Sequence, residues 1–176
     1  VIEPELLDKV DRWIKEYHPF AVVYMDGDSD RPGLFDDKGR FVWGDILGAL
    51  VSKYLEADFA AVTISSNDAI DIALKEQAKV EKTKIGSPYV VKAMMDAQEA
   101  GFKRVVSWEG NGGFLLQVDL KLFGKTLKAF PTRDAALPLL SALLLATKEN
   151  KSVSRLVDSL PSRFKHADRA KFPVKD

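Results

Sequence analysis

Asp26, Asp28 and Asp30 alternate along the stretch VVYMDGDSDRPG, directly behind an apolar run. Two arrangements are open to carboxylates at that spacing. Partly neutralised by Arg31, they form a solvated acidic turn; converged on a hard dication, which prefers oxygen ligands, they exchange mutual repulsion for attraction. In a straight strand the outer pair would stand about 13 Å apart at roughly 3.3 Å per residue. That is too far to share an ion whose ligands lie near 2.1 Å. Binding therefore requires the backbone to curl. Gly27, which permits unusual dihedrals, Ser29, and Pro32, which restricts the chain just beyond, are expected to shape the bend. Magnesium is the natural occupant.

Two other carboxylate-bearing loops compete for the same stretch. An EF-hand wants glycine at its sixth position and glutamate at its twelfth, after a helix; here those positions hold Arg31 and Asp37 and follow an apolar strand pattern. A phosphatase of the haloacid-dehalogenase type would make Asp26 the nucleophile and Asp28 the acid, but that pattern continues with Gly-Thr where Ser29 and Asp30 stand.

Composition narrows the remaining chemistry. The 26 basic residues balance the 26 acidic ones, so no overall field draws the chain to nucleic acid or an anionic membrane, and an anionic ligand must be held by local groups. The absence of cysteine removes disulfides, thiol catalysis and thiolate metal sites. His18 and His166 are far apart in sequence, which argues against a histidine-based zinc site. The longest apolar run, LPLLSALLLA, is too short to span a bilayer, and VIEPELLDKV is no signal peptide. A soluble, cytoplasmic protein is the expectation, and a start on Val1 suggests a fragment or processed product.

The elements that must position the acidic loop are readable from periodicity. Leu6, Leu7, Val10, Trp13 and Ile14 mark a helix over 4–17 that is buried on one side. A strand over 20–25 and a hairpin over 33–43, turning at Asp36-Asp37-Lys38-Gly39, flank the loop. Further helices are expected over 44–57 with Asp45 at its start, 67–78 with Asn67 as its cap, 87–100 with Gly101 beyond its end, 133–149 where Pro138 inside the pattern can kink it, and 151–160. Strands are expected over 59–66, 79–83, 103–108 and 113–120, the last two joined by the glycine-rich EGNGG. The tail, 161–176, has two prolines and little periodicity and looks like a linker. Strands alternating with helices predict an α/β fold, a three-layer α/β/α domain around a mixed, largely parallel sheet.

The loop DGDSDR resembles the metal-binding loop of the alpha-D-phosphohexomutases, the phosphomannomutase and phosphoglucomutase family, which reads Asp-Gly-Asp-x-Asp-Arg. Other stretches resemble segments of that family in its own order: AAVTISSNDAIDIAL, VEKTKIGSPYVVKAM, WEGNGGFLL, TRDAALPLLSALLLA and SLPSRFKHADR. The resemblance covers nearly the whole chain. It implies that 1–40 are the end of the second domain with the metal loop, 41–160 the third, sugar-recognising domain, and 161–176 the link toward the fourth.

The resemblance also assigns roles. Asp26, Asp28 and Asp30 would bind Mg2+ together with a phosphoserine oxygen, and Arg31 would stand beside that phosphate as a catalytic donor fork. Lys84 would contact the substrate; without the resemblance it is a solvated lysine at a strand end. Glu109 would accept hydrogen bonds from sugar hydroxyls, with Asn111 where serine is common and Gly113 where histidine is frequent. The implied reaction exchanges phosphate between the C1 and C6 oxygens of a hexose through a phosphoserine and a bisphosphate. No Thr-Ala-Ser-His-Asn-Pro nucleophile loop is present, so the chain alone is expected to be inactive and to need the remaining domains. A free-standing metal- or sugar-phosphate-binding module is the non-enzymatic alternative.

Overall fold

Alternate residues of the central strands serve opposite faces, as a two-residue side-chain period demands. Ala60, Val62, Val106, Trp108, Phe114 and Leu116 join one buried cluster, while Phe59, Ala61, Val105 and Leu115 join another. Helices cover both faces. The computed structural model describes residues 2–161, and in it Phe59–Thr63 (β3), Lys79–Thr83 (β4), Val105–Trp108 (β5), Phe114–Leu116 (β6) and Phe130–Asp134 (β9) form one sheet in the order β4-β3-β5-β6-β9. Strands β4, β3 and β5 run parallel, and β6 and β9 complete the sheet antiparallel. The first face carries Gly44–Tyr54 (α2), Ala69–Leu74 (α3), Ala136–Lys148 (α5) and Val153–Asp158 (α6); the second carries Ser87–Glu99 (α4). The expected three-layer α/β fold with a mixed sheet is what the chain adopts.

Two small sheets stand apart from the main one. Val22–Met25 (β1) pairs antiparallel with Pro32–Phe35 (β2), preceded by the helix Pro4–Tyr17 (α1), and Leu120–Leu122 (β7) pairs with Lys125–Leu127 (β8). Strand β2 is buried throughout and packs on α5. The turn after it is pinned to α6: Asp37 accepts hydrogen bonds from the amide and hydroxyl of Ser154, at 2.7 and 2.8 Å, and Arg40 links the fully buried Asp36 to Asp158. The hairpin that presents the acidic loop is thereby fastened to the helical layer over the main sheet.

Several expectations are corrected. The main partner of β2 is β1, and the far arm of the hairpin expected over 33–43 is reduced to a single bridge between Phe35 and Phe41. Arg133 and Asp134 belong to β9, so the helix begins later and Pro138 falls in its first turn, where a missing N–H costs nothing. The strand expected over 113–120 ends at Leu116. Helix α1 buries Val10, yet Leu7 and Trp13 remain 40% exposed, so its apolar stripe is only partly covered. Asn67 does accept from the amide of Ala69 at 2.8 Å, although α3 is shorter than its pattern. The linker expected over 161–176 lies, apart from Pro161, outside the described residues, as does His166. Among the described residues no helix is long and apolar enough to cross a membrane.

Candidate metal centre and its neighbouring loop

The acidic loop is the connection between β1 and β2, and it curls through its own backbone. Asp26 Oδ1 accepts hydrogen bonds from the amides of Asp30 and Arg31 at 3.2 and 3.1 Å, the Asp26 carbonyl accepts from Ser29 at 3.0 Å, and the Asp26 amide donates to the Arg31 carbonyl at 3.2 Å. The left-handed residue of the turn is Ser29, at φ 60°, and not Gly27. As a result Asp26, Asp28 and Asp30 each offer a carboxylate oxygen within 4.8 Å of the others. Octahedral magnesium with ligands near 2.1 Å sets adjacent oxygens about 3.0 Å apart and opposite ones about 4.2 Å. A contraction of well under an ångström for the widest pair therefore converts this spacing into a coordination shell, and the donors are all hard oxygen. The residues fit a magnesium-like dication.

Cations already brace these acids. Arg31 Nε pairs with Asp26 at 2.5 Å and with Asp30 at 3.2 Å. Burial works to raise the Asp26 pKa, but the Arg31 amide and the Arg31 charge outweigh it and hold the carboxyl below its usual range; the Asp26 charge in turn raises that of Arg31. Both oxygens of Asp26 are engaged by Arg31 or by the loop amides, a poor disposition for the attacking carboxylate of a dehalogenase-type phosphatase.

The glycine-rich loop leaves the carboxyl end of β5 and turns back into β6. Asn111 Oδ1 accepts from the Gly113 amide at 3.0 Å, and the Glu109 carbonyl accepts from Gly112 at 2.8 Å. Helix α2 begins hard against it: a Cβ on Gly44 would stand 2.5 Å from Gly112 N and 2.6 Å from Gly110 O. Arg133, from β9, joins the two loops. Its Nε lies 2.8 Å from Asp30 Oδ2 and its Nη1 lies 3.5 Å from Glu109 Oε2. Beside them opens a cleft of about 560 Å³, lined among others by Tyr24, Asp26, Arg31, Phe41, Trp43 and Asn111, of a size that suits a small ligand.

Of the residues expected at a site, Asp26, Arg31 and Asn111 line this cleft; Asp28 and Asp30 converge with Asp26, and Glu109 is tied to Asp30 through Arg133. Lys84 does not join them by contact. It follows β4, two strands across the sheet from β5, or about 10 Å at roughly 4.8 Å per strand, and its ammonium sits 5.6 Å from the Tyr89 ring centre. It shares with Glu109 the carboxyl end of the parallel strands, where ligands of open α/β sheets bind. Arg133 was missed because its stretch reads as the opening of a helix. The signal that could have found it is Asp134, a residue type favoured at helix starts, whose carboxylate accepts from the amides of Ala136 and Leu137 and so begins the helix beyond Arg133.

Residues 43–164 match the family described as phosphoglucomutase/phosphomannomutase, alpha/beta/alpha domain III. The chain belongs to the phosphoglucomutase/phosphomannomutase family. It is 41% identical over 173 residues to a phosphomannomutase of Salmonella muenchen, a similarity covering 96% of this chain and 35% of that protein. It is 29% identical over 164 residues to a phosphoglucosamine mutase of Phenylobacterium zucineum, covering 89% and 34%. Its fold is similar to that of a phosphoglucomutase/phosphomannomutase family protein of Burkholderia thailandensis, with a TM-score of 0.68 at 19% identity over 91% of this chain and 33% of the other. The chain thus spans about a third of the length of its family relatives.

Proposed function

We propose that this chain is the cation-binding and hexose-binding part of a phosphohexomutase, an intramolecular phosphotransferase that interconverts hexose 1-phosphates and 6-phosphates through a phosphoserine and a bisphosphate. The observation that carries the reading is the convergence of three aspartates beside Arg31, joined through Arg133 to Glu109, next to the cleft that Asp26, Arg31 and Asn111 line. Asp26, Asp28 and Asp30 would hold Mg2+, which when bound supplies positive charge for the transferring phosphoryl group. Arg31, whose side chain is about half exposed, would donate its remaining N–H groups to a phosphate bound there. Glu109 and Asn111 present acceptors to sugar hydroxyls, and Lys84, at the far side of the carboxyl edge, binds the substrate's phosphate or hydroxyls. Residues 1–40 act as the end of the second domain, 41–160 as the third, and 161–176 as the link to the fourth. The phosphate-carrying serine comes from the remaining domains, so the chain alone is inactive.

The test is an assay of the full-length gene product with mannose, glucose and glucosamine phosphates, beside the isolated chain. Interconversion of 1- and 6-phosphates by the full protein, absent from the chain alone and abolished by Asp28→Asn, is the expected result. Release of inorganic phosphate by the isolated chain would overturn the assignment in favour of a phosphatase.

A further inference from the structure

Arg133 occupies a position that belongs to neither loop and touches both. Its guanidinium spans Asp30, which is about four-fifths buried, and Glu109, whose side chain is 14% exposed. Gly113 makes room for it: a Cβ there would stand 2.7 Å from Arg133 Cδ and 2.9 Å from Cγ. Any larger residue at 113 expels the arginine from its path. The two contacts are unequal, 2.8 Å to Asp30 and 3.5 Å to Glu109, so the guanidinium is held mainly by the acidic loop.

We propose that Arg133 is a positioning residue that couples cation loading at the aspartate loop to the setting of Glu109 for hexose recognition. The inference rests on the functional reading above. A dication at Asp30 neutralises the carboxylate that holds Arg133 and competes directly with its Nε. The guanidinium then shifts its pairing toward Glu109, tightening the longer contact and fixing that carboxylate in one orientation. Linkage makes the effect reciprocal: a ligand that orders Glu109 changes the cation affinity of the aspartate loop by the same factor. Lysine cannot replace it, because a single ammonium lacks the fork that reaches two carboxylates at once.

The test is a Mg2+ titration of the 176-residue chain followed by amide NMR signals, with no activity required. In the unsubstituted chain the signals of 26–31 and of 109–113 should move together along one saturation curve. In Arg133→Met the first group should still respond, with affinity raised several-fold because a competing charge is gone, while the second stays still. Arg133→Lys, which keeps the charge but not the fork, should likewise leave the second group still but without the gain in affinity, and Gly113→Ala, which retains the arginine but displaces it, should also silence the second group. Unperturbed signals elsewhere establish that each variant is folded. If Mg2+ moves 26–31 alone in the unsubstituted chain, or if Arg133→Met transmits the response undiminished through the Asp30 carbonyl that abuts Gly113, the coupling role is overturned. If 26–31 do not respond at all, it is the cation site itself that fails, and the coupling with it.

Discussion

Replacing Gly44 with alanine tests how closely the start of α2 governs the glycine-rich loop. The added Cβ would meet backbone, Gly112 N at 2.5 Å, Gly110 O at 2.6 Å and Gly112 Cα at 2.8 Å, so no side chain can swing away to relieve it. Restoring an ordinary contact of 3.4 Å moves one backbone against the other by about 0.9 Å. Overpacking of this kind costs about 1–3 kcal/mol, against which the better helix propensity of alanine returns at most about 1 kcal/mol. Net destabilisation of about 1 kcal/mol is expected in urea denaturation of the chain, with the amide signals of 110–113 displaced and those of 26–31 little changed. In the complete enzyme a loop shift near 1 Å at the substrate is expected to lower kcat/KM by about 100-fold. A variant as stable as the parent, with the loop signals in place, would refute the close approach and the role of α2 in setting the loop.

Other consequences are open to measurement. Asp37 has a pKa that burial works to raise, yet the Ser154 amide and hydroxyl outweigh burial and lower it. Because the folded value lies below the unfolded one, near 3.9, its contribution is present above that value and lost as pH falls through the folded pKa. Asp37→Ala should lower stability by about 2 kcal/mol at pH 7 and flatten the loss of stability below about pH 4; an unchanged acid limb in pH-dependent denaturation would show that Asp37 does not fasten α6. Lys84→Met should weaken hexose phosphate binding to the complete enzyme by roughly 30-fold, the worth of a charge-assisted hydrogen bond of about 2 kcal/mol, without altering Mg2+ affinity. Equal substrate affinity by calorimetry would remove Lys84 from the site.

Much of this architecture was legible because the signals were periodic or chemical. Apolar alternation and helical spacing located most elements of the main sheet and its covering layers, and the alternate aspartates marked the acidic loop. What escaped were features set by pairing across the chain. β9 is largely exposed and acquires its identity by pairing with β6, where Phe114 faces Asp134; nothing local announces that pairing. Of the residues expected to bend the acidic loop, Gly27 keeps an ordinary φ while the hydrogen bonds that Asp26 accepts from Asp30 and Arg31 hold the turn in which Ser29 takes the left-handed position. The incompletely covered stripe of α1 follows a helical pattern faithfully, since periodicity reports an apolar face and not what packs on it.

The central claim, that Asp26, Asp28 and Asp30 share a hard dication, is tested most directly by Mn2+ binding to the chain. Electron paramagnetic resonance should show one site in the parent, displaced by Mg2+ and lost in Asp28→Asn while the fold is retained. Binding unaffected by that substitution, or no saturable site in the parent, would contradict it.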